Sequence, residues 1–254
     1  MNSGKTDVCA IVVDPANGRV TEVKNTVLLN QITRDATRIG LSFDKIHEDA
    51  LLKISEQFAK CSALLMTGLI QAGREEDELR TACGELLFNA LNTICAATLL
   101  LRGGFVLQPG IILRSSFESL AVILHLVQNQ NDLPSYKADN FKSSSAIKSA
   151  KVVFPPFGHM YGFYSDEFSH IGKLHKQLTP IREYSESNEQ LKLNLHFISS
   201  AVWMAYVTCE LLFLDIINRP RYWSRVETNL ENREAYQYSP SEKEISWARD
   251  FTNF

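Results

Sequence analysis

The five cysteines, at positions 9, 61, 83, 95 and 209, form no Cys-x-x-Cys pair. That spacing excludes a thioredoxin-like redox motif and a cysteine-built zinc site, and it suits free, buried thiols in a reducing compartment. The chain has no charge of one sign to spend on a polyanion. Lys and Arg total 26 against 29 Asp and Glu, a net charge of −3, so nothing global points to nucleic acid or an acidic membrane surface. The most apolar run, Ile94 to Leu101, is far shorter than the ~20 residues that span a bilayer. The opening MNSGKTDVCAIVVDP lacks the basic and apolar regions of a signal peptide. A cytoplasmic protein with no membrane contact is the expectation. No P-loop, dinucleotide-binding glycine pattern or Gly-x-Ser-x-Gly elbow occurs, and no cofactor is predicted. There is no internal repeat and no low-complexity segment.

What is present is an ordinary globular composition, 45% apolar and 22% charged over 254 residues, enough to bury a substantial core. Val8 to Val13 is apolar and β-branched. Asp14-Pro15-Ala16-Asn17-Gly18 supplies turn chemistry, and Arg19 to Val23 alternates, so residues 7–23 read as a β-hairpin. An isolated hairpin is marginal in water and must pack on the body or on a partner.

From Phe43 the apolar residues recur at helical spacing, with Ile46, Leu51, Ile54, Phe58, Leu64 and Leu65 in step. Gly73 reads as an interruption. Arg74-Glu75-Glu76-Asp77 then reads as the charged start of a second helix, ending at Gly103-Gly104. A third helix opens at Gln108-Pro109-Gly110 and runs to Gln128. A polar helix is expected from Leu133 to Lys151, ended by Pro155-Pro156. An ordered aromatic loop follows over 157–168, then a long apolar helix over 190–218. The polar tail holds a short helix near 242–251. The reading is an all-α helical bundle of one domain, residues 1–254. It comprises the hairpin (7–23), a bundle core (43–218) and a polar C-terminal extension (219–254).

The third helix carries the strongest signal. At about 100° per residue, Arg114, Glu118, Ala121, His125 and Gln128 fall on one narrow stripe. The other positions are mostly apolar, which predicts a central helix with both charges buried. A buried charge needs partners. Glu85, Asn89 and Asn92 on the preceding helix, and Ser199, Trp203, Tyr206 and Glu210 on the long C-terminal one, recur at helical spacing and offer them. Three such stripes predict a polar pocket inside the bundle. The plainer alternative is a structural Arg–Glu pair that fixes helix register.

Arg114-Ser115-x-x-Glu118 on an apolar helix, with Ser169-His170 downstream, resembles an uncharacterised bacterial helical family, a domain of unknown function. The resemblance covers roughly residues 45–218 and implies no established activity. A looser resemblance is to HEPN-type bundles (higher eukaryotes and prokaryotes nucleotide-binding), many of them ribonucleases with an Arg and a His a few residues apart. Here ten residues separate Arg114 from His125, so the resemblance requires Arg114 to meet His170 in space. It then implies action on RNA or nucleotides, in stress or phage defence. Arg114 would stabilise phosphoryl charge, Glu118 would orient it, and His170 would act as general acid/base. Ser115, His125, Tyr161, Tyr164 and Ser169 would line the binding surface.

Seven Lys or Arg against three acids lie between residues 137 and 182, interleaved with aromatics such as Tyr161 and Phe163. Basic groups among exposed aromatics suit phosphates and bases. Core aromatics beside a solvated basic face are the plainer alternative. His159, His170 and His175 match no zinc spacing, so no metal is predicted. A Ser/His/Asp hydrolase would need Ser115 or Ser169 with His170 and Asp166. The competing function is a non-enzymatic ligand-binding or protein-interaction module. A homodimer fits either, because the hairpin and the apolar helices leave edges to cover.

Overall fold

The computed structural model describes residues 8–169, 174–185, 188–226 and 235–253. It is an all-α bundle preceded by a short hairpin, as the sequence predicts. Strands β1 (Val8–Asp14) and β2 (Arg19–Lys24) pair antiparallel, with Val13 opposite Val20 and a bulge between Val8 and Ala10. Gly18 takes a φ of 61° in the turn. Asp14 holds that turn by accepting from the backbone N–H and side-chain amide of Asn17.

Helix begins earlier than the apolar period suggests. A single turn, α1 (Val27–Asn30), and a π-helical turn (Gln31–Asp35) lead into α2 (Ala36–Glu75), 40 residues long and kinked at His47. Gly73 does not interrupt it. The helix stops at Glu76, whose φ of 54° is left-handed. Asp77 then caps α3 (Glu78–Arg102) by accepting from the Arg80 N–H at 2.9 Å. The charged run is therefore the turn rather than a helix start. Gly103-Gly104 closes α3, and α4 (Gln108–Gln128) starts with a proline in its first turn, where a missing N–H costs nothing.

The predicted polar helix is two helices, α5 (Leu133–Lys137) and α6 (Ser143–Val153). They part at Asp139, whose φ of 57° no helix accommodates. The predicted aromatic loop is also helical, forming α7 (Pro155–Tyr164) and a π-helical turn (Ser165–Ser169). Phe157, Tyr161, Tyr164 and Phe168 recur at spacings four, three and four, a helical period that the neighbouring glycines obscure.

Helix α8 (Glu189–Leu212) is the centre of the bundle, packed against α2, α3, α4 and the last helix, and buried along nearly its whole length. Phe213 follows it and seats its ring against Gly68 of α2, where a Cβ would overlap the ring. A second hairpin, which the sequence reading lacked, pairs β3 (Trp223–Val226) with β4 (Ala235–Tyr238). Helix α9 (Glu242–Thr252) ends the fold, capped by Ser241. Over their helical lengths α3, α4 and α8 are apolar enough to cross a membrane by length and composition, which the count of uninterrupted apolar residues did not capture. In the bundle, 39, 61 and 89% of those apolar windows are buried. Cys61, Cys83 and Cys209 are buried free thiols, while Cys9 and Cys95 are exposed, against the expectation that all are core residues.

Candidate ligand-binding site

Arg114 and Glu118 meet as their spacing requires. Arg114 donates from Nε to Glu118 Oε1 at 2.8 Å. The expectation that both are buried is wrong, because their side chains are 49% and 30% exposed. The buried residues of α4, such as Leu113, Phe117 and Leu120, occupy the opposite arc, and the apolar Ile111 lies exposed beside the charged stripe. The helix is apolar nearly all round yet lies at the edge of the bundle on this side.

The three polar stripes do not converge on one pocket. Glu85, Asn89 and Asn92 are exposed on α3. Glu210 on α8 is buried, and accepts from the backbone N–H groups of Arg221 and Tyr222 at 2.8 and 2.6 Å, tying down the chain that enters β3. Burial pushes its carboxyl above the usual range, and those two N–H groups pull it back. Ser199 donates to the His196 carbonyl of its own helix.

Helix α7 takes the place of the missing partners. Tyr161 lies close enough to Arg114 and Glu118 for both charges to act on its phenol. Burial pushes the Tyr161 phenol up, Glu118 adds to this and Arg114 opposes it. The phenol therefore keeps its proton at neutral pH and can donate to a ligand. Arg114 is held above its ordinary value, chiefly by its hydrogen bond to Glu118. Lys151, at the end of α6, sets its ammonium 5.9 Å from the Tyr161 ring centre. Ser115 is exposed beside Arg114, its hydroxyl donating to the Ile112 carbonyl at 3.2 Å. Arg114, Lys151, Tyr161, Ser115 and Glu118 thus share one open face.

The packing beneath that face is aromatic. Phe157 stacks on Tyr161 with ring centres 5.6 Å apart, and Tyr164 lies 5.0 Å from Phe117. Tyr164 is fully buried and its hydroxyl donates to the Gly110 carbonyl, with the Ile111 carbonyl 3.4 Å away. It anchors α7 to α4 and does not face solvent, as a ligand-binding role would require. Phe168 packs on Gly110, where a Cβ would collide with its ring. Phe168 is thus seated on the first turn of the helix that carries Arg114. The Ser169 side chain and His170 lie outside the described residues.

His125 is separate from this face. It sits eleven residues beyond Arg114, about 16 Å along the helix, where Nε2 meets Asp132 at 2.7 Å and the ring packs on Phe141. His159 is exposed on α7. Among the described residues, no group of three His, Cys, Asp or Glu is placed to hold a metal ion.

Two cavities lie elsewhere. One, about 680 Å³, is an apolar groove between α2 and α3, walled by Leu51, Phe58, Ile94 and Leu99. The other, about 280 Å³, lies between α2 and α9 beside Trp247 and Gln57. Neither includes a residue that the sequence proposed for the functional site. The aromatic cluster around Arg221, whose guanidinium lies 5.1 Å from the Trp247 ring and is bonded to Glu244, was not foreseen. Only the aromatic richness of residues 221–247 could have signalled it.

No family model, curated protein or solved structure matches this chain. What the face around Arg114 does has to be argued from its own chemistry.

Proposed function

We propose that the protein binds a phosphate-bearing ligand, an RNA or a nucleotide, on the face formed by Arg114, Lys151 and Tyr161. The observation that carries this reading is the half-exposed Arg114 guanidinium, held by Glu118 beside Tyr161 and Lys151. A guanidinium has five N–H donors, so the bond to Glu118 leaves donors for a ligand. Its planar fork matches phosphate oxygens, and its orientation is set before a ligand arrives. Lys151 adds a second positive charge, and Tyr161 offers an O–H. A purely structural role explains the pair poorly, because an exposed i,i+4 ion pair stabilises a helix by only ~0.3–0.5 kcal/mol.

In the catalytic form of this reading, resembling HEPN nucleases, His170 exchanges the proton and Arg114 stabilises developing charge. An imidazole titrates near neutral pH and a guanidinium does not. In the non-catalytic form the same face only binds. The test is a panel of labelled RNAs incubated with wild type, His170→Ala and Arg114→Ala. The reading predicts that wild type binds at least one RNA class and that Arg114→Ala weakens it. If the protein is a nuclease, His170→Ala abolishes cleavage while binding persists. Binding without cleavage by wild type selects the non-catalytic form. Absence of binding across RNAs and free nucleotides overturns the proposal.

A further inference from the structure

Strand β1 has the composition of a central strand but occupies an edge. Cys9-Ala10-Ile11-Val12-Val13 carries no charge. Successive side chains of a strand point to opposite faces, so β1 is apolar on both, as strands with neighbours on either side are. Among the described residues its only pairing partner is β2. Strand β2 has the opposite character. Arg19, Glu22 and Lys24 mark it as a strand built to stay at an edge. Apart from pairing with each other, neither strand packs extensively on another described element. Ile11, Val12, Val13 and Val20 are 54–67% exposed as a result.

The segment that follows is equally uncovered. Val27, Leu28, Leu29 and Ile32, in α1 and the turn after it, are 55–71% exposed. At roughly 80–100 Å² of exposed apolar area each, these eight side chains present about 700 Å² within one stretch of chain. A standard protein interface buries about 800 Å² per partner, close to the apolar area these side chains expose.

We propose that the N-terminal arm is the dimerisation element, and that its occupant is the arm of a second copy. The two β1 strands pair antiparallel across a two-fold axis, giving a four-stranded sheet in the order β2-β1-β1-β2. A two-fold axis requires a self-complementary patch, and antiparallel pairing of one strand with its own copy supplies it. The uncharged strand becomes central, and the charged strand remains outermost on both sides. The apolar side chains of residues 27–32, joined to β2 by a two-residue turn, cover one face of the new sheet. This inference is independent of the ligand proposed above.

The test is light scattering of the full chain at micromolar concentration, with wild type compared against an Ile11→Lys/Val12→Lys variant. Those lysines enter both faces of the central strand and repel their symmetry mates. Wild type is expected at twice the 28.7 kDa chain mass, and the variant at one chain mass with unchanged helical circular dichroism. Because the lysines could also unfold the hairpin itself, amide exchange of wild type is measured above and below the dissociation concentration. Residues 8–13 are expected to lose protection on dilution while α8 keeps it. A monomeric wild type, a dimer indifferent to both lysines, or exchange at 8–13 that ignores dilution overturns the proposal.

Discussion

Gly110 is where the face around Arg114 is fastened to the bundle, and replacing it with alanine tests how. An added Cβ would lie closer than 3.0 Å to three atoms of the Phe168 ring, a separation real Cβ atoms do not adopt. To regain ordinary contact at ~3.5–4.0 Å the ring must retreat by more than about 1 Å. It cannot retreat freely, because it is packed edge-on against Phe197 and lies beside Tyr164, whose hydroxyl is bonded to the Gly110 carbonyl. Overpacking of this kind costs ~1–3 kcal/mol. Alanine regains ~0.5–1 kcal/mol over glycine through its lower chain entropy in a helix. The net expectation is a loss of about 1–2 kcal/mol, or roughly 2–6 °C in Tm for a domain of this size. Gly73 supplies the control. It is helical and exposed, and a Cβ there meets nothing within 4 Å. Gly73→Ala should raise stability by ~0.5–1 kcal/mol. The assay is urea denaturation of wild type and both variants. A Gly110→Ala protein as stable as wild type, or two variants shifted in the same direction, would refute the argument that Phe168 is clamped on this glycine.

Glu210→Ala leaves the N–H groups of Arg221 and Tyr222 without their acceptor, at a cost of ~1–3 kcal/mol for each one buried. Glu210→Gln keeps an acceptor and removes a buried charge, so it should lose far less. Equal losses in the two variants would show that the carboxylate does not hold that segment. His47 at the kink of α2 has its pKa lowered, first by burial and then by Lys192, and its Nε2 is buried without a partner. The unfolded chain then takes up the proton first as pH falls below 6.5, so folding stability contributed by the neutral ring is lost on acidification. Stability measured from pH 7.5 down to about 5.5 should fall more steeply for wild type than for His47→Gln; parallel curves would remove His47 from the account. Arg114→Ala should alter stability by no more than ~0.5 kcal/mol, because Glu118 stays in contact with water. A loss of several kcal/mol would restore the buried-pair interpretation.

The architecture was legible wherever one period dominated. Helices α3, α4 and α9 and the first hairpin were readable from apolar spacing, the Gly103-Gly104 stop, Pro109 and Asn17-Gly18. What escaped was set by tertiary packing. Gly73 reads as a breaker, yet an exposed glycine costs a 40-residue helix only ~1 kcal/mol. Helix α7 was hidden because Gly158 and Gly162 suggest a loop, although its aromatics keep a helical period onto Phe168. Strands β3 and β4 are four residues each, too short to alternate visibly. For the site, the sequence brings Arg114 and Glu118 together correctly because i,i+4 geometry is local. Their exposure depends on which neighbours cover α4, and the helix's own composition does not encode that. Arg114 meeting Tyr161 joins elements 47 positions apart, a juxtaposition that only the fold supplies.

The central claim is that Arg114 presents a pre-oriented guanidinium to a phosphate. Its most direct test is the affinity of one bound RNA for wild type, Arg114→Ala and Arg114→Lys, measured by fluorescence anisotropy at two salt concentrations. A hydrogen bond to a charged group contributes ~1.5–3 kcal/mol, so Arg114→Ala should bind about 10–100-fold more weakly. The salt slope should fall by roughly one phosphate contact. Lysine keeps the charge but not the fork, and should recover only part of the loss. An Arg114→Ala protein that binds as tightly as wild type, with the same salt slope, would contradict the account.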